Sequence, residues 1–251
     1  MKLRRHAISV GLLVVMATSI GSATSSAEPK LSIDRMVEFF EIVVFGSDKG
    51  PPEAAFIRKW QPGTTLTYKL CGNAKSVLRF RSIIEKHART LAQETGLNFR
   101  EVPSGRSSEH FAFWFAEPNE MIKAGLMVEK DLKTVRRAAF RARCYFLTYT
   151  LQTGAYIKSL IVINRAQKSA DLEHCLLEEM TQVLGLPNDN QLVSPSIFND
   201  NERHMELTRI DRFLLRTLYD DRMLAGTPRK LALILARGIM LDLGEESGWA
   251  E

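Results

Sequence analysis

The stretch Ser169 to Asn190, S-A-D-L-E-H-C-L-L-E-E-M-T-Q-V-L-G-L-P-N-D-N, gathers the side chains of this protein that could do chemistry. His174, Glu178 and Gln182 follow one another at i, i+4, so on a helix all three line one face. Glu179 lies beside them, and Gly185, Asn188 and Asp189 follow in a polar turn. A carboxylate so placed can act as a general base or as a metal ligand. Zinc takes nitrogen and sulfur first, whereas Glu178, Gln182 and Asn188 or Asp189 offer only oxygen. Such a set, with Glu178, Gln182 and Asp189 as its ligands, suits calcium or magnesium if it holds any metal. His174 and Glu178, one turn apart, are expected to form a surface ion pair worth about 0.3–0.5 kcal/mol. Glu179 beside Glu178 would have a raised pKa if buried. The chain has no G-x-S-x-G, no C-x-x-C and no glycine-rich phosphate loop.

The elements that would hold these residues follow from periodicity. Leu172, Leu176, Met180, Val183 and Leu184 recur at helical spacing and predict one helix ending at Gly185. Before it, Cys144–Leu151 and Tyr156–Asn164 are β-rich runs flanking Q-T-G-A, a hairpin that delivers the chain to that helix. Earlier still, Leu31–Gly46 reads as an amphipathic helix, and Thr65–Cys71 as a strand turning Leu66, Tyr68 and Leu70 inward. Lys75–Glu94 is the longest helix, with His87 as a partly packed surface residue beside its apolar stripe. Phe111–Ala116, apolar on both faces, predicts a central strand. Arg136, Arg137, Arg141 and Arg143 read as a solvated basic face. Two C-terminal helices close the chain: Leu207–Tyr219, with Thr208 and Asp211 as a short-armed capping box, and one running from Thr227–Pro228 to about Leu241.

Residues 1–27 read as a signal peptide: Lys2, Arg4 and Arg5, a short apolar run, then Ser25-Ser26-Ala27 at the cleavage point. The chain holds 34 basic and 29 acidic residues, and the signal takes three of the bases, leaving 31 against 29. That balance is no footprint for nucleic acid. Export to the periplasm or medium makes a disulfide the default among Cys71, Cys144 and Cys175. Cys144 opens the hairpin and Cys175 lies near the start of the motif helix, so these two are expected to pair and Cys71 to remain free.

The motif itself resembles the H-E-x-x-H-x-x-G-x-x-H/D helix of zinc peptidases. The corresponding positions are Glu178, Glu179, Gln182, Gly185 and Asn188, which keep the base and the glycine and change the three ligands. S-P-S-I-F-N-D, ending at Asp200, resembles the turn beneath the metal in metzincins, with Phe198 where their methionine stands. L-T-R-I-D-R-F-L-L-R-T-L-Y-D, Leu207 to Asp220, resembles the helix after that turn in matrixins. Together with R-K-W at Trp60 and C-L-L-E-E-M-T-Q-V-L-G-L-P-N-D, these strings also resemble an uncharacterised family of exported proteobacterial proteins, a domain of unknown function, over roughly Ile57 to Tyr219.

The resemblance implies an α+β fold: a minimal zincin-like, metzincin-type domain over residues 56–251. It would have a mixed twisted sheet, a long helix, a motif helix and C-terminal helices, preceded by an N-terminal helix and linker over 28–55. It implies an exported pseudo-peptidase that binds a protein or peptide in the cell envelope, with no cofactor and no zinc. The rival expectation is a divergent metal-dependent hydrolase using Glu179 as general base. No membrane span is expected once the signal is removed.

Overall fold

Alternation at Thr65–Cys71 produces β1, and a polar N-cap at Asn73 then starts α2, Ala74–Thr95. The Asn73 side chain accepts from the Ser76 amide, and Gly96, at φ +69°, ends the helix in the left-handed conformation that glycine adopts without penalty. The strands β2 (Asn98–Glu101), β3 (Phe111–Ala116), β4 (Cys144–Thr150) and β5 (Tyr156–Asn164) complete one sheet in the order β2-β1-β3-β5-β4. All pairs are parallel except β4–β5, so β4 is an antiparallel edge strand. These statements concern residues 31–46, 54–103, 109–192 and 194–247 of a computed structural model; the expected signal and the 47–53 linker lie outside them.

The central position of β3 explains its composition. Phe111, Phe113 and Phe115 enter the main core, while Ala112 and Ala116 enter a smaller core on the opposite face with Met121, Ala124, Tyr145, Leu160 and Val162. Small alanines admit the short helices α3 (Met121–Leu126) and α4 (Leu132–Ala139) to that face. The other face carries α2, the motif helix α5 (Ser169–Gln182), α6 (Arg209–Tyr219) and α7 (Arg229–Ser247). The first helix, α1 (Ile33–Phe45), buries Phe39, Phe40 and Phe45 in that same core. Each phenylalanine so buried contributes about 1.5–3 kcal/mol. Glu41 of α1 pairs with Arg229 of α7 at 2.7 Å. The expected α+β arrangement of mixed sheet, long helix, motif helix and C-terminal helices is the one observed.

Four details differ from the sequence reading. The motif helix stops at Gln182, and residues 183–185 form a turn in which the Gly185 amide bonds back to the Gln182 carbonyl. Gly185 has φ +120°, and a Cβ there would lie 2.5 Å from the Arg58 carbonyl oxygen, so glycine serves close packing against another segment. The last helix begins at Arg229 and runs to Ser247, past the expected end near Leu241. His87 is fully buried, 1% exposed, rather than a surface residue. His174 is buried too, so its contact with Glu178, 3.5 Å away, is made in the interior and not on the surface.

Candidate functional site

The end of α5 is fixed from outside. Trp60 Nε1 donates to the Val183 carbonyl at 2.9 Å, and the Tyr219 hydroxyl donates to the Leu184 carbonyl at 2.8 Å. Lys59, beside Trp60 and fully buried, donates to the Leu218 carbonyl at 2.8 Å with Tyr219's ring against its ammonium. Carbonyls left over at the helix end thus find donors on α6 and on the 56–60 segment. Beneath them, the Ser194–Asp200 turn is anchored on the capping box of α6. Ser196 Oγ donates to Asp211 at 2.7 Å, the Ile197 amide donates to the same carboxylate, and Thr208 and Asp211 cap one another. Burial pushes the Asp211 carboxyl up, and those donated hydrogen bonds oppose the rise. Phe198 is fully buried, edge-on to Phe39.

This scaffold turns the motif face of α5 toward a cleft of about 690 Å³. His174, Glu178, Glu179, Gln182, Asn188 and Asp189 all line it, below the edge strand β4. Gln182 Nε2 donates to Asp189 Oδ1 at 2.6 Å. Glu178, Asp189 and Asp200 bring carboxylate oxygens within 4.8 Å of one another. Burial first, and then the charges of Asp189 and Asp200, push Glu178 up to about 8. Glu178 therefore holds a proton at neutral pH, hydrogen-bonded toward Asp189. His174 Nε2 lies 3.5 Å from Glu178, and its Nδ1 sits on the backbone of His204, 3.2 Å from the amide nitrogen. Burial lowers the His174 pKa, the hydrogen bond to the His204 backbone opposes the shift, and the nearby charges of Arg203, His204 and Arg143 add to it. The contact is between two neutral groups, not an ion pair.

The remaining positions play different parts. Asn188 faces α1: its side-chain amide donates to the Val43 carbonyl at 3.0 Å and its backbone amide donates to the same oxygen. Glu179 is buried, with a carboxylate oxygen within 4.8 Å of the sulfurs of Cys144 and Cys175. Those cysteines form the expected disulfide, Cα atoms 6.3 Å apart, and Cys71 is free. The bridge ties the motif helix to the first residue of β4.

Zinc is the metal held by the peptidase helix that this motif resembles, and the donor set here does not fit it. The clustered atoms are carboxylate oxygens, His174 is engaged by Glu178 and His204, and the two nearest thiols are consumed in the disulfide. Sequence reasoning missed Asp200, Asp171, Arg58 and Arg203 as cleft residues. Asp200 was within sight, as the last residue of S-P-S-I-F-N-D; the others carry no local signal. Of the arginines read as a solvated face, Arg137, Arg141 and Arg143 line the cleft.

Residues 34–233 match the family described as "Protein of unknown function (DUF2927)". The chain belongs to this family. No curated protein is matched by the sequence. Two solved structures, titled "Crystal structure of myroilysin" and "Structure of myroilysin", are similar with TM-scores of 0.41 and 0.38 at 12% and 13% identity. The matches cover 64% and 66% of this chain, and 86% and 98% of those chains. A likeness so remote says nothing about chemistry. Among the described residues no helix is long and apolar enough to cross a membrane.

Proposed function

We propose that this DUF2927 protein is an exported, non-catalytic binding domain with the outline of a zinc peptidase and none of its zinc ligands. Its cleft holds an extended segment of another protein of the cell envelope. The observation that carries this reading is the closed network on the motif face. Gln182 is bonded to Asp189, Glu178 shares its proton with Asp189, and Asn188 is tied to α1. Groups so engaged with one another offer no pair of free nitrogen donors, and any cation they held would be oxygen-bound calcium or magnesium. In the resembled peptidases a carboxylate in the place of Glu179 works on water activated by zinc, and this oxygen-only donor set is not one that selects zinc.

The cleft is instead suited to backbone recognition. β4 pairs with β5 on one side only and is the last strand of the sheet, and it runs along the cleft from Cys144 to Thr150. A sheet edge of this kind accepts an extended peptide as a further strand, main-chain hydrogen bonds supplying affinity. The disulfide between Cys144 and Cys175 supports export, because such bridges persist in oxidising compartments.

Zinc content and peptidase activity of the gently purified protein test the reading. The expected result is zinc far below one equivalent and no peptide hydrolysis, in the native chain or in Glu179→Ala. One equivalent of zinc, with hydrolysis that Glu179→Ala abolishes, would sink it and establish the hydrolase.

A further inference from the structure

We propose that the partner segment is acidic, and that it is gripped at both ends of β4 by arginines on the lip of the cleft. This rests on the reading of β4 as a docking edge and adds the chemistry of what docks there.

Arginines bracket the strand. Arg141 and Arg143 lead directly into Cys144, and Arg137 is on α4 just before them. Arg58 stands at the opposite end, because its neighbour Lys59 bridges to Ala155 at the tip of the hairpin. All four line the cleft and are exposed. Arg143 has a distant carboxylate in Asp171, at 3.9 Å. Arg58, Arg137 and Arg141 have no ion pair among the described residues, although the chain as a whole carries nearly as many acids as bases. Unneutralised guanidinium groups beside a docking edge attract carboxylates and can take them in bidentate fashion.

Two further features mark the lip. Arg141 has φ 55°, the one non-glycine residue in the left-handed region among those described. Its guanidinium lies over the ring of Phe140, 5.3 Å from the centroid, and Phe140 is 73% exposed while lining the cleft. A strained backbone that presents a cation and an exposed ring side by side is the kind of local cost that binding sites carry. Seven residues of β4 span about 20 Å. Acidic side chains on the segment would therefore be grouped at its two ends, about six residues apart, with β-favouring residues between.

The test uses fluorescein-labelled peptides EEVTVTVEE, QQVTVTVQQ and KKVTVTVKK, an EEVTVTVEE peptide N-methylated at alternate backbone positions, and phosphatidylglycerol vesicles, against the purified protein. The acidic peptide should bind about tenfold more tightly than the glutamine peptide, an advantage that shrinks as salt is raised. The double variant Arg137→Gln, Arg141→Gly should lose most of that advantage and leave the glutamine peptide unaffected; glycine suits the left-handed backbone, so the fold is kept. Arg58→Gln should independently lose part of it. Equal affinity for the acidic and glutamine peptides overturns the arginine lip and leaves the docking edge standing. An N-methylated acidic peptide that binds as well as its parent does the reverse, removing the edge pairing. Binding of the vesicles alone, lost in the same variants, overturns both.

Discussion

Gln182 Nε2 donates to Asp189 Oδ1 at 2.6 Å, closing the turn after α5 back onto the helix face. The amide nitrogen donates to a carboxylate and, its lone pair being delocalised into the carbonyl, is no metal ligand, so Gln182 has only an amide oxygen to offer where zinc prefers a neutral imidazole nitrogen.

Replacing Glu178 and Gln182 together by histidine should therefore create a zinc site. The two residues are one turn apart on a rigid helix, and Asp189 supplies a third donor. Elemental analysis after dialysis should give close to one zinc per chain in Glu178→His/Gln182→His and a trace in the native protein. No zinc in the double variant means that the backbone is not disposed as in a zinc peptidase.

Glu178 makes stability fall as the medium turns alkaline. Its carboxyl is raised from 4.5 to about 8 in the folded protein, so between those values the folded state holds a proton that the unfolded state has lost. The stabilisation is complete below about 4.5 and is lost as pH rises through 8. Melting temperatures from pH 5 to 9, conditions chosen to bracket this window, should decline more steeply for the native protein than for Glu178→Gln. Parallel curves would show that the proton is not shared as described.

Histidine 87 acts in the opposite direction. Burial, followed by the charge of Lys86, lowers it from 6.5 to about 4, so it stays neutral in the folded protein while the unfolded chain protonates. Stability is full above about 6.5 and is lost as pH falls toward 4, by up to about 3 kcal/mol. Chemical denaturation at pH 7 and pH 4.5, on either side of most of this change, should show His87→Gln losing less than the native chain. An equal loss in both places the acid sensitivity elsewhere.

The Cys144–Cys175 bridge closes a loop with a sequence separation of 31. Removing it with Cys144→Ala and Cys175→Ala should cost about 3–4 kcal/mol, chiefly through the freed unfolded chain. The denaturant midpoint measures this. Burial raises the Cys71 thiol, so alkylation of Cys71 should be slow until the protein unfolds. A native peptide map that links Cys71 to another cysteine contradicts the pairing.

Export is checked by mass. Protein recovered from the periplasmic fraction should begin at Glu28, after removal of residues 1–27. A product that keeps Met1, or one confined to the cytoplasm, removes the localisation from the proposal.

What the sequence determined was whatever local sterics and period encode. Strand β1 falls on the expected Thr65–Cys71, and α6 carries the Thr208–Asp211 capping box that its first turn announces. The i, i+4 face of His174, Glu178 and Gln182 follows from helical geometry alone, and the Cys144–Cys175 pairing from the order of hairpin and helix. Tertiary structure decided the chemistry of that face. Glu178 keeps its proton because the surroundings exclude water and because Asp189 and then Asp200 bring their charges beside it. His174 has its pKa lowered first by burial, and the arginines before β4 became the wall of a cleft because α5 passes beneath the edge strand. Even the end of the motif helix depends on Arg58 and Trp60, more than a hundred residues away, since the Arg58 carbonyl adds a close approach to the positive φ that already favours glycine at Gly185. Period and caps are properties of neighbours in the chain. Desolvation and proton affinity belong to neighbours in space, which no window of sequence contains.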